Sequence, residues 1–186
     1  ENMSKANFYY KNSNIYFSKE IDIEKLKLYP NSDGEELRHA LADYHGLKDN
    51  QIFLGNGSDE VLALTFLTFF NGKDPVLFPN ISYSFYPVYC DLYQMSYKEV
   101  LLDQDFKINV EDFKQPNSGI IFPNPNAPTG LLVSLDFIEE VLKSNPDSIV
   151  VVDEAYIDFG GESALPLLEK YENLLIVQTF SKSRSM

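Results

Sequence analysis

The sequence predicts an α/β protein whose mostly parallel sheet carries helices on both faces. Short apolar strand patterns alternate with helical patterns along the chain, which is typical of parallel α/β sheets. Residues 149–152 are continuously apolar and β-branched, as expected of a central strand that is buried on both faces. Residues 123–130 contain three prolines after another apolar run, so they form neither helix nor central strand and indicate a rigid loop.

Composition restricts the class of protein and its partners. The 186 residues carry a net charge of −13, and 44% of them are hydrophobic, as in an ordinary globular domain. The acidic balance argues against nucleic acid or an anionic membrane as a partner, because both require a basic face. The longest apolar run, residues 61–70, is too short to span a bilayer.

Cysteine and histidine usage bears on location and on metal binding. The single cysteine, Cys90, excludes an internal disulfide and indicates a reducing compartment, so we expect a cytoplasmic protein. Cys90 itself is interpreted as a small buried side chain. The sequence contains only two histidines and one cysteine, which argues against a zinc site. No metal is expected.

The N-terminal region predicts an arm followed by the first helix. Residues 1–30 are rich in Asn, Tyr and Lys without clear periodicity, and we interpret them as an N-terminal arm. The large domain is then expected over residues 31–186. Ser32 or Asp33 is expected to cap a helix that ends at Gly46.

The next segment has the features of an anion site. A short strand predicted at residues 51–54 leads through a glycine-rich turn into the apolar helix of residues 61–70. A turn of this kind can seat a phosphate on the N–H groups of a helix N-terminus. The alternative is a plain N-cap made by Ser58 or Asp59. The turn lacks the GK[ST] ending of a P-loop and the GxGxxG of a dinucleotide fold.

The remaining elements follow from the same patterns. Ser134 is expected to cap a helix. Tyr83 lies where its side chain could cover a ligand at the strand ends, and the alternative is that Tyr83 is a core aromatic residue. A short helical segment is expected to begin at residue 109 or 110. The predicted strands are residues 75–78, 96–101, 118–122, 149–152 and 174–178, and the predicted helices are residues 82–93, 134–143 and 163–171.

Two ionisable residues follow buried strands. Asp153 directly follows the predicted strand of residues 149–152. Ser181 and Lys182 come shortly after the predicted strand of residues 174–178. Since ligands bind at the carboxyl ends of strands in open α/β sheets, we expect these side chains at one edge. A lysine that can bond to an aldehyde and a carboxylate that can pair with a protonated pyridine nitrogen are what a pyridoxal-phosphate (PLP) site requires. The alternatives are a loop-capping Asp153 and a solvated Lys182.

Taken together, these motifs resemble those of the fold-type I PLP-dependent aminotransferases of class I and II. The resemblance implies PLP as the cofactor and Lys182 as the catalytic residue, which holds the cofactor covalently and then moves the proton between substrate and cofactor. The matching positions, in the family's order and spacing, are residues 57–60, Tyr83, residues 125–130, residues 153–156 and residues 181–182.

The resemblance implies specific contacts to the cofactor ring. Asp153 matches the carboxylate bonded to the ring nitrogen, and Tyr156 matches the hydroxyl bonded to the 3′-oxygen. Tyr83 matches the aromatic side chain stacked on the ring. The family commonly has asparagine where this chain has Ala127, and Asn126 is expected to compensate.

The resemblance also implies contacts to the cofactor phosphate. Ser58 and Asp59 lie where backbone N–H groups hold it, and Ser181 adds a hydroxyl. Tyr29 matches a tyrosine that reaches the phosphate of the neighbouring subunit's site, which implies a homodimer. Arg184 is too close to Lys182 to match the arginine that binds the phosphate in the family.

The activity implied for the complete protein is transamination between histidinol phosphate and 2-oxoglutarate, which gives imidazole-acetol phosphate and glutamate in histidine biosynthesis. Two alternative activities of proteins with the same fold are those of an aromatic amino-acid aminotransferase and of a threonine-phosphate decarboxylase. They stay open because the cofactor does the electronic work in all three reactions. Two alternatives belong to other functional classes. One is a non-catalytic PLP-binding or dimerisation fragment, and the other is a nucleotide-binding α/β protein. Family members continue past the lysine into a small C-terminal domain, so the sequence is expected to be an incomplete large domain.

Overall fold

The chain forms two compact units in a computed structural model. The structure describes residues 5–9, 18–22, 27–29 and 32–184. One unit is Glu1–Leu54 and the other is Gly55–Met186. The boundary predicted at residue 30 between an arm and a large domain stays a prediction, and Pro30 lies outside the described residues.

The first unit contains a two-stranded sheet that the sequence did not indicate. Strands β1 (Lys5–Tyr9) and β2 (Ser18–Asp22) pair antiparallel within the predicted arm. Helix α1 (Glu35–His45) follows. Since a strand needs a partner for its backbone groups, the absence of any described strand beside residues 52–54 explains why they are irregular. The strand predicted at residues 51–54 is therefore wrong, and its first residue belongs to the short 3₁₀ turn Asp49–Gln51.

The ends of α1 differ in how well the sequence predicts them. Gly46 ends the helix in the left-handed conformation with φ near +67°, as predicted. The predicted cap by Ser32 or Asp33 is wrong, because the N-cap is Gly34 and no side chain caps the helix. Two acidic residues, Glu35 and Glu36, instead place negative charge at the positive end of the helix dipole.

The second unit is built on a five-stranded parallel sheet. Its strands occur in the spatial order β4-β3-β5-β6-β7, and every neighbouring pair is parallel. The continuously apolar strand β6 lies between two others and is buried along its whole length, as predicted. The strands are β3 (Val76–Pro79), β4 (Tyr97–Val100), β5 (Gly119–Pro123), β6 (Val150–Asp153) and β7 (Leu174–Val177).

Helices cover both faces of this sheet, which confirms the predicted fold class. Successive side chains of a strand point to opposite faces. Accordingly, Val151 of β6 packs with α2 (Gly57–Phe69) and α3 (Phe85–Leu92), whereas Val150 and Val152 pack with α4 (Leu135–Ser144). Each large apolar side chain buried in this way contributes about 1.5–3 kcal/mol to stability. The sheet is therefore a rigid platform for the loops at its carboxyl edge.

Two predicted helices need correction, and one predicted cap is confirmed. The helix predicted at residues 163–171 is only the 3₁₀ turn Leu165–Leu167, because Pro166 donates no backbone hydrogen bond and the chain before it is held by a buried carboxylate. The helix predicted at residues 82–93 begins only at Phe85. Ser134 caps α4 as predicted, accepting a 3.2 Å hydrogen bond from the amide of Phe137. Across the part of the chain that the structure describes, no helix has both the length and the apolar character needed to cross a membrane.

Candidate active site at the carboxyl edge of the sheet

The two ionisable residues predicted to act together lie at the ends of neighbouring strands. Asp153 is the last residue of β6 and pairs in register with Val177, the last residue of β7. Lys182 follows five residues after Val177, and its Nζ atom lies 5.4 Å from the centre of the Tyr156 ring. Tyr156 itself follows Asp153 by three residues. The carboxylate and the amine are therefore delivered to the same edge of the sheet, as the sequence predicted.

Asp153 is a buried carboxylate with two hydrogen-bond donors. Its side chain is 4% exposed. The backbone amide of Ala155 donates to Oδ1 at 3.1 Å, and the Tyr86 hydroxyl donates to Oδ2 at 2.8 Å. Burial raises the pKa of Asp153 above its ordinary value, while the two hydrogen bonds oppose that rise. A cation beside this carboxylate would favour its ionised form.

The neighbouring residue Glu154 is also buried, and the sequence analysis assigned it no role. Its carboxylate accepts hydrogen bonds from the Ser163 hydroxyl at 2.7 Å, the Ala164 amide at 2.7 Å and the Gln178 side chain at 2.8 Å. Burial raises the pKa of Glu154, and these hydrogen bonds oppose the rise. Glu154 thus joins the loop after β6 to the end of β7. The signal available in the sequence was a second acidic residue immediately after Asp153 at the end of the apolar run.

The N-terminus of α2 lies beside Ser181. Gly57 adopts a left-handed φ of +79°, and a side-chain carbon added there would lie 3.7 Å from the Ser181 hydroxyl. Ser58 and Asp59 occupy the first turn, where backbone N–H groups have no partner within the helix. The alternative of a plain cap by Ser58 or Asp59 is wrong, because the N-cap is Asn56 and no side chain caps the helix. The first turn and Ser181 together form a small cradle of donors.

Tyr83 is attached to this cradle by its hydroxyl. The hydroxyl donates a 2.7 Å hydrogen bond to Oδ1 of Asp59. The ring is stacked with Phe85 at 5.7 Å between centroids, and its edge contacts Tyr86. Burial and the Asp59 carboxylate both raise the pKa of Tyr83. Tyr83 is thus a neutral, oriented aromatic at the edge of the site, partly buried against the core.

The proline-rich loop contains a buried polar atom that has no partner. The Asn126 side-chain amide donates to the Ile81 carbonyl at 3.0 Å and to the Thr129 hydroxyl at 2.9 Å. Its Oδ1 atom is buried and makes no hydrogen bond. Buried acceptors without a partner are rare in folded proteins. A bound polar group at this loop would satisfy Oδ1, so Asn126 is a candidate ligand contact.

The loop that carries Lys182 is attached to the loop after β6. Ser183 and Arg184 both donate to the Asp158 carboxylate, with Arg184 Nε at 3.1 Å from Oδ2. The guanidinium of Arg184 also lies 5.2 Å from the centre of the Phe180 ring. The sequence analysis gave Arg184 no role, and the structure shows it holding the segment on either side of Lys182.

Tyr29 is the one predicted contact that lies in the other unit. Its side chain is fully exposed there. A role at the phosphate of a neighbouring subunit stays a prediction.

The residues at this edge fit a planar, phosphorylated pyridine cofactor. A buried carboxylate can pair with a protonated ring nitrogen, and the cradle at α2 can hold a phosphate. A lysine, an aromatic ring and an unsatisfied amide oxygen complete the set. This combination matches PLP better than a nucleotide, because a nucleotide has no aldehyde with which a lysine at the same edge of the sheet as a buried carboxylate could react.

Comparison with known proteins identifies a family for the chain. The family described as aminotransferase class I and II matches residues 11–186. The chain is 61% identical over 163 residues to a histidinol-phosphate aminotransferase from Lactococcus lactis subsp. cremoris, covering 88% of this chain and 46% of that protein. It is 59% identical to a histidinol-phosphate aminotransferase from Pseudomonas syringae, covering 88% and 47%. The chain therefore spans about half the length of the curated relatives it matches.

Solved structures show the same fold. The histidinol-phosphate aminotransferase of Clostridium acetobutylicum superposes with a TM-score of 0.80 at 29% identity, covering 88% of this chain and 50% of that chain. An L-threonine-O-3-phosphate decarboxylase from Porphyromonas gingivalis superposes with a TM-score of 0.75 at 24% identity, covering 89% and 50%. From the sheet, the residues at its carboxyl edge and the match over residues 11–186, we conclude that the chain belongs to the class I and II aminotransferase family.

Proposed function

We propose that the complete protein is a PLP-dependent aminotransferase that exchanges an amino group between histidinol phosphate and 2-oxoglutarate. The products are imidazole-acetol phosphate and glutamate, as in histidine biosynthesis. The observation that carries the proposal is the arrangement at the ends of β6 and β7, where the buried Asp153 carboxylate and the Lys182 amine share one edge. The choice of substrate rests on the names of the relatives that are about 60% identical.

PLP, when bound, supplies an aromatic electron sink that stabilises negative charge at the substrate α-carbon. Asp153 would hold the ring nitrogen and keep it protonated. Lys182 would bind the cofactor covalently at rest and then carry the proton from the α-carbon. Proton transfer of this kind is general acid–base catalysis by a positioned side chain.

The remaining residues would bind and orient the cofactor. Ser58, Asp59 and Ser181 would hold the phosphate through the α2 cradle and a hydroxyl. Tyr83 would cover one face of the ring. Tyr156, whose ring lies under the Lys182 amine, would donate its hydroxyl to the 3′-oxygen, and Asn126 would contribute there through the loop of residues 124–130.

The fold alone does not determine which substrate the protein uses. The threonine-phosphate decarboxylase named above has the same fold, and the bond that is broken depends on groups that orient the substrate. The higher identity to histidinol-phosphate aminotransferases favours transamination. We expect the complete protein to convert histidinol phosphate at least tenfold faster, by kcat/KM, than phenylalanine or threonine phosphate.

Two variants test the proposal directly. Lys182→Ala should abolish turnover, because it removes the amine that would bind the cofactor and move the proton. Asp153→Asn should retain cofactor yet slow turnover by several orders of magnitude, because the ring nitrogen loses its ionic partner. Turnover with 2-oxoglutarate and histidinol phosphate is measured by glutamate formation. Transamination that persists in Lys182→Ala would disprove the assignment.

We further propose that the protein acts as a homodimer in which Tyr29 reaches the neighbouring subunit's site. Exposed apolar side chains on the second unit support a covering partner, including Phe85, Val88 and Leu92 of α3. A subunit-mixing experiment tests this proposal. Tyr29→Ala and Lys182→Ala proteins are each expected to be impaired, and mixing them should restore activity in hybrid dimers that contain one intact site. No recovery after mixing would contradict a shared site.

The domain boundary at residue 30 and a cytoplasmic location are also proposals. Fractionation of cells that express the complete protein would test its location.

A further inference from the structure

Tyr86 contacts the site from within the core. Its side chain is completely buried in α3, yet its hydroxyl donates a 2.8 Å hydrogen bond to Oδ2 of Asp153, 67 residues away in sequence. Tyr86 sits in a helix rich in aromatic residues, where one more aromatic is expected to be core. The structure therefore adds a polar contact that nothing in the local pattern indicates.

The position of the Tyr86 hydroxyl is fixed by packing. Its ring lies 5.6 Å from the Tyr83 ring, 5.7 Å from the Phe78 ring and 6.2 Å from the Phe66 ring, measured between centroids. Side chains in a core of this kind do not move freely, because interiors are close-packed. The hydroxyl thus acts as a fixed donor directed at the carboxylate.

The two oxygens of Asp153 are held from different directions. Oδ1 accepts from the Ala155 amide, two residues along the same loop, and Oδ2 accepts from Tyr86 on another element. Two donors on different oxygens set the torsion of the carboxylate. Each carboxylate oxygen can accept more than one hydrogen bond, so a ring nitrogen can still be bound.

The surroundings of Asp153 oppose its ionisation. The acidic groups facing it are Asp59 on α2 and Glu154 beside it, and both raise its pKa, as burial does. The hydroxyls of Tyr83 and Tyr89 on the α3 side stay neutral, since their own pKa values are raised. The hydrogen bonds from Tyr86 and Ala155 favour the ionised form. Of these two, only the Tyr86 bond can be removed by a side-chain substitution.

We propose that Tyr86 is a positioning residue for the cofactor, holding the Asp153 carboxylate in the orientation and the ionised form that a protonated pyridine nitrogen requires. This inference rests on the proposed function. Tyr86 touches neither substrate nor cofactor and acts through Asp153. A purely structural role, in which a buried hydroxyl takes the nearest acceptor, would change stability and leave kcat and the cofactor absorbance band of the folded protein as they were.

Tyr86→Phe tests the inference in the complete protein, first without cofactor. The pKa of Asp153 is followed by ¹³C NMR of aspartate carboxyl carbons, with the signal assigned through Asp153→Asn. We expect Tyr86→Phe to raise this pKa by about one unit or more, because hydrogen bonds to charged groups are among the stronger ones. Tyr89→Phe is the matched control, because Tyr89 lies on the same helix but donates to Asp59. It should move the Asp153 pKa by no more than a few tenths.

A second substitution covers the case in which Tyr86→Phe fails to fold. Replacing Tyr86 with 3-fluorotyrosine keeps the ring and the donor but makes the hydroxyl more acidic. A stronger donor should lower the Asp153 pKa, the opposite of the change expected for phenylalanine. An unchanged Asp153 pKa in the folded variants would overturn the inference, even if the melting temperature falls.

With PLP added, Tyr86→Phe should lower kcat several-fold and leave KM for the amino substrate nearly unchanged. The same variant should shift the pH midpoint of the cofactor absorbance band, whereas Tyr89→Phe should not. If the band keeps the wild-type midpoint in Tyr86→Phe, Tyr86 does not position the cofactor partner. Failure of the proposed function is distinguishable, because then the wild-type protein shows no cofactor band while the NMR titration still reports on Tyr86.

Discussion

The Tyr83 hydroxyl donates a 2.7 Å hydrogen bond to Oδ1 of Asp59, and so joins the segment before α3 to the first turn of α2. Tyr89, on α3, contacts the same residue through the Asp59 carbonyl at 3.2 Å. The Tyr83 hydrogen bond therefore joins the aromatic edge of the site to its donor cradle. A phosphorylated planar cofactor needs both features at a constant separation.

Removing this hydroxyl should weaken cofactor binding. Tyr83→Phe keeps the ring but loses a hydrogen bond to a carboxylate, and we expect the Kd for PLP to rise about 3–10-fold. Absorbance titration of the complete protein measures it. Tyr97→Phe, on the edge strand β4, is the control and should leave the Kd unchanged. Equal affinities for wild type and Tyr83→Phe would mean that the Asp59 contact does not orient the ring.

Cys90 should be chemically inert in the folded protein. It is fully buried, and burial raises the pKa of its thiol to about 12. The thiolate is the reactive form, so its fraction at pH 8 is about one in ten thousand. We expect Cys90 not to react with a thiol reagent such as DTNB under native conditions and to react after denaturation. Cys90→Ala should barely alter turnover, and rapid native labelling would contradict the buried placement.

The Asp158–Arg184 contact should protect the loop that carries Lys182. Both side chains are partly exposed, so the ion pair is worth about 0.5–1 kcal/mol. Asp158→Asn should therefore speed tryptic cleavage after Lys182 about 2–5-fold in the cofactor-free complete protein, as followed by mass spectrometry. Glu172→Gln, an exposed change before β7, is the control. Identical cleavage rates in the two variants would argue against anchoring by Asp158.

Glu154 should make stability depend on pH in a defined direction. Its pKa in the folded protein is raised by burial above the ordinary 4.5, so the folded state binds the proton more tightly than the unfolded state. Its stabilising contribution is then fully present below about pH 4.5 and is lost as the pH rises through the raised value.

Comparison with Glu154→Gln isolates this effect, because other titrating groups cancel between the two proteins. The free energy of unfolding of the variant, relative to wild type, should rise with pH above about 4.5, by at most about 1.4 kcal/mol per pH unit. Urea unfolding at a series of pH values measures it. Glu99→Gln on exposed β4 should show no such trend. A flat difference for Glu154→Gln would mean that burial does not govern its ionisation.

Local signals in the sequence were enough for the sheet and for several site residues. The continuously apolar run before Asp153 predicted a central strand, because only a strand buried on both faces needs apolar side chains at every position. Ser134 predicted its helix start, since a hydroxyl there satisfies an amide that the helix leaves unpaired. The same reasoning from local sequence failed in two places. No strand among the described residues pairs with residues 51–54, and the buried Glu154 carboxylate holds the chain at the start of residues 163–171.

The sequence by itself determined that this chain is a parallel α/β protein whose aspartate and lysine follow buried strands, and its motifs identified the family. Only the tertiary structure decided which groups support those two residues. Tyr86 is joined to Asp153 across 67 residues, and Arg184 is joined to Asp158 across 26. Such contacts depend on how helices and loops pack on the sheet. Sequence periodicity reports which face of an element is buried, but it does not report which distant polar group that face meets.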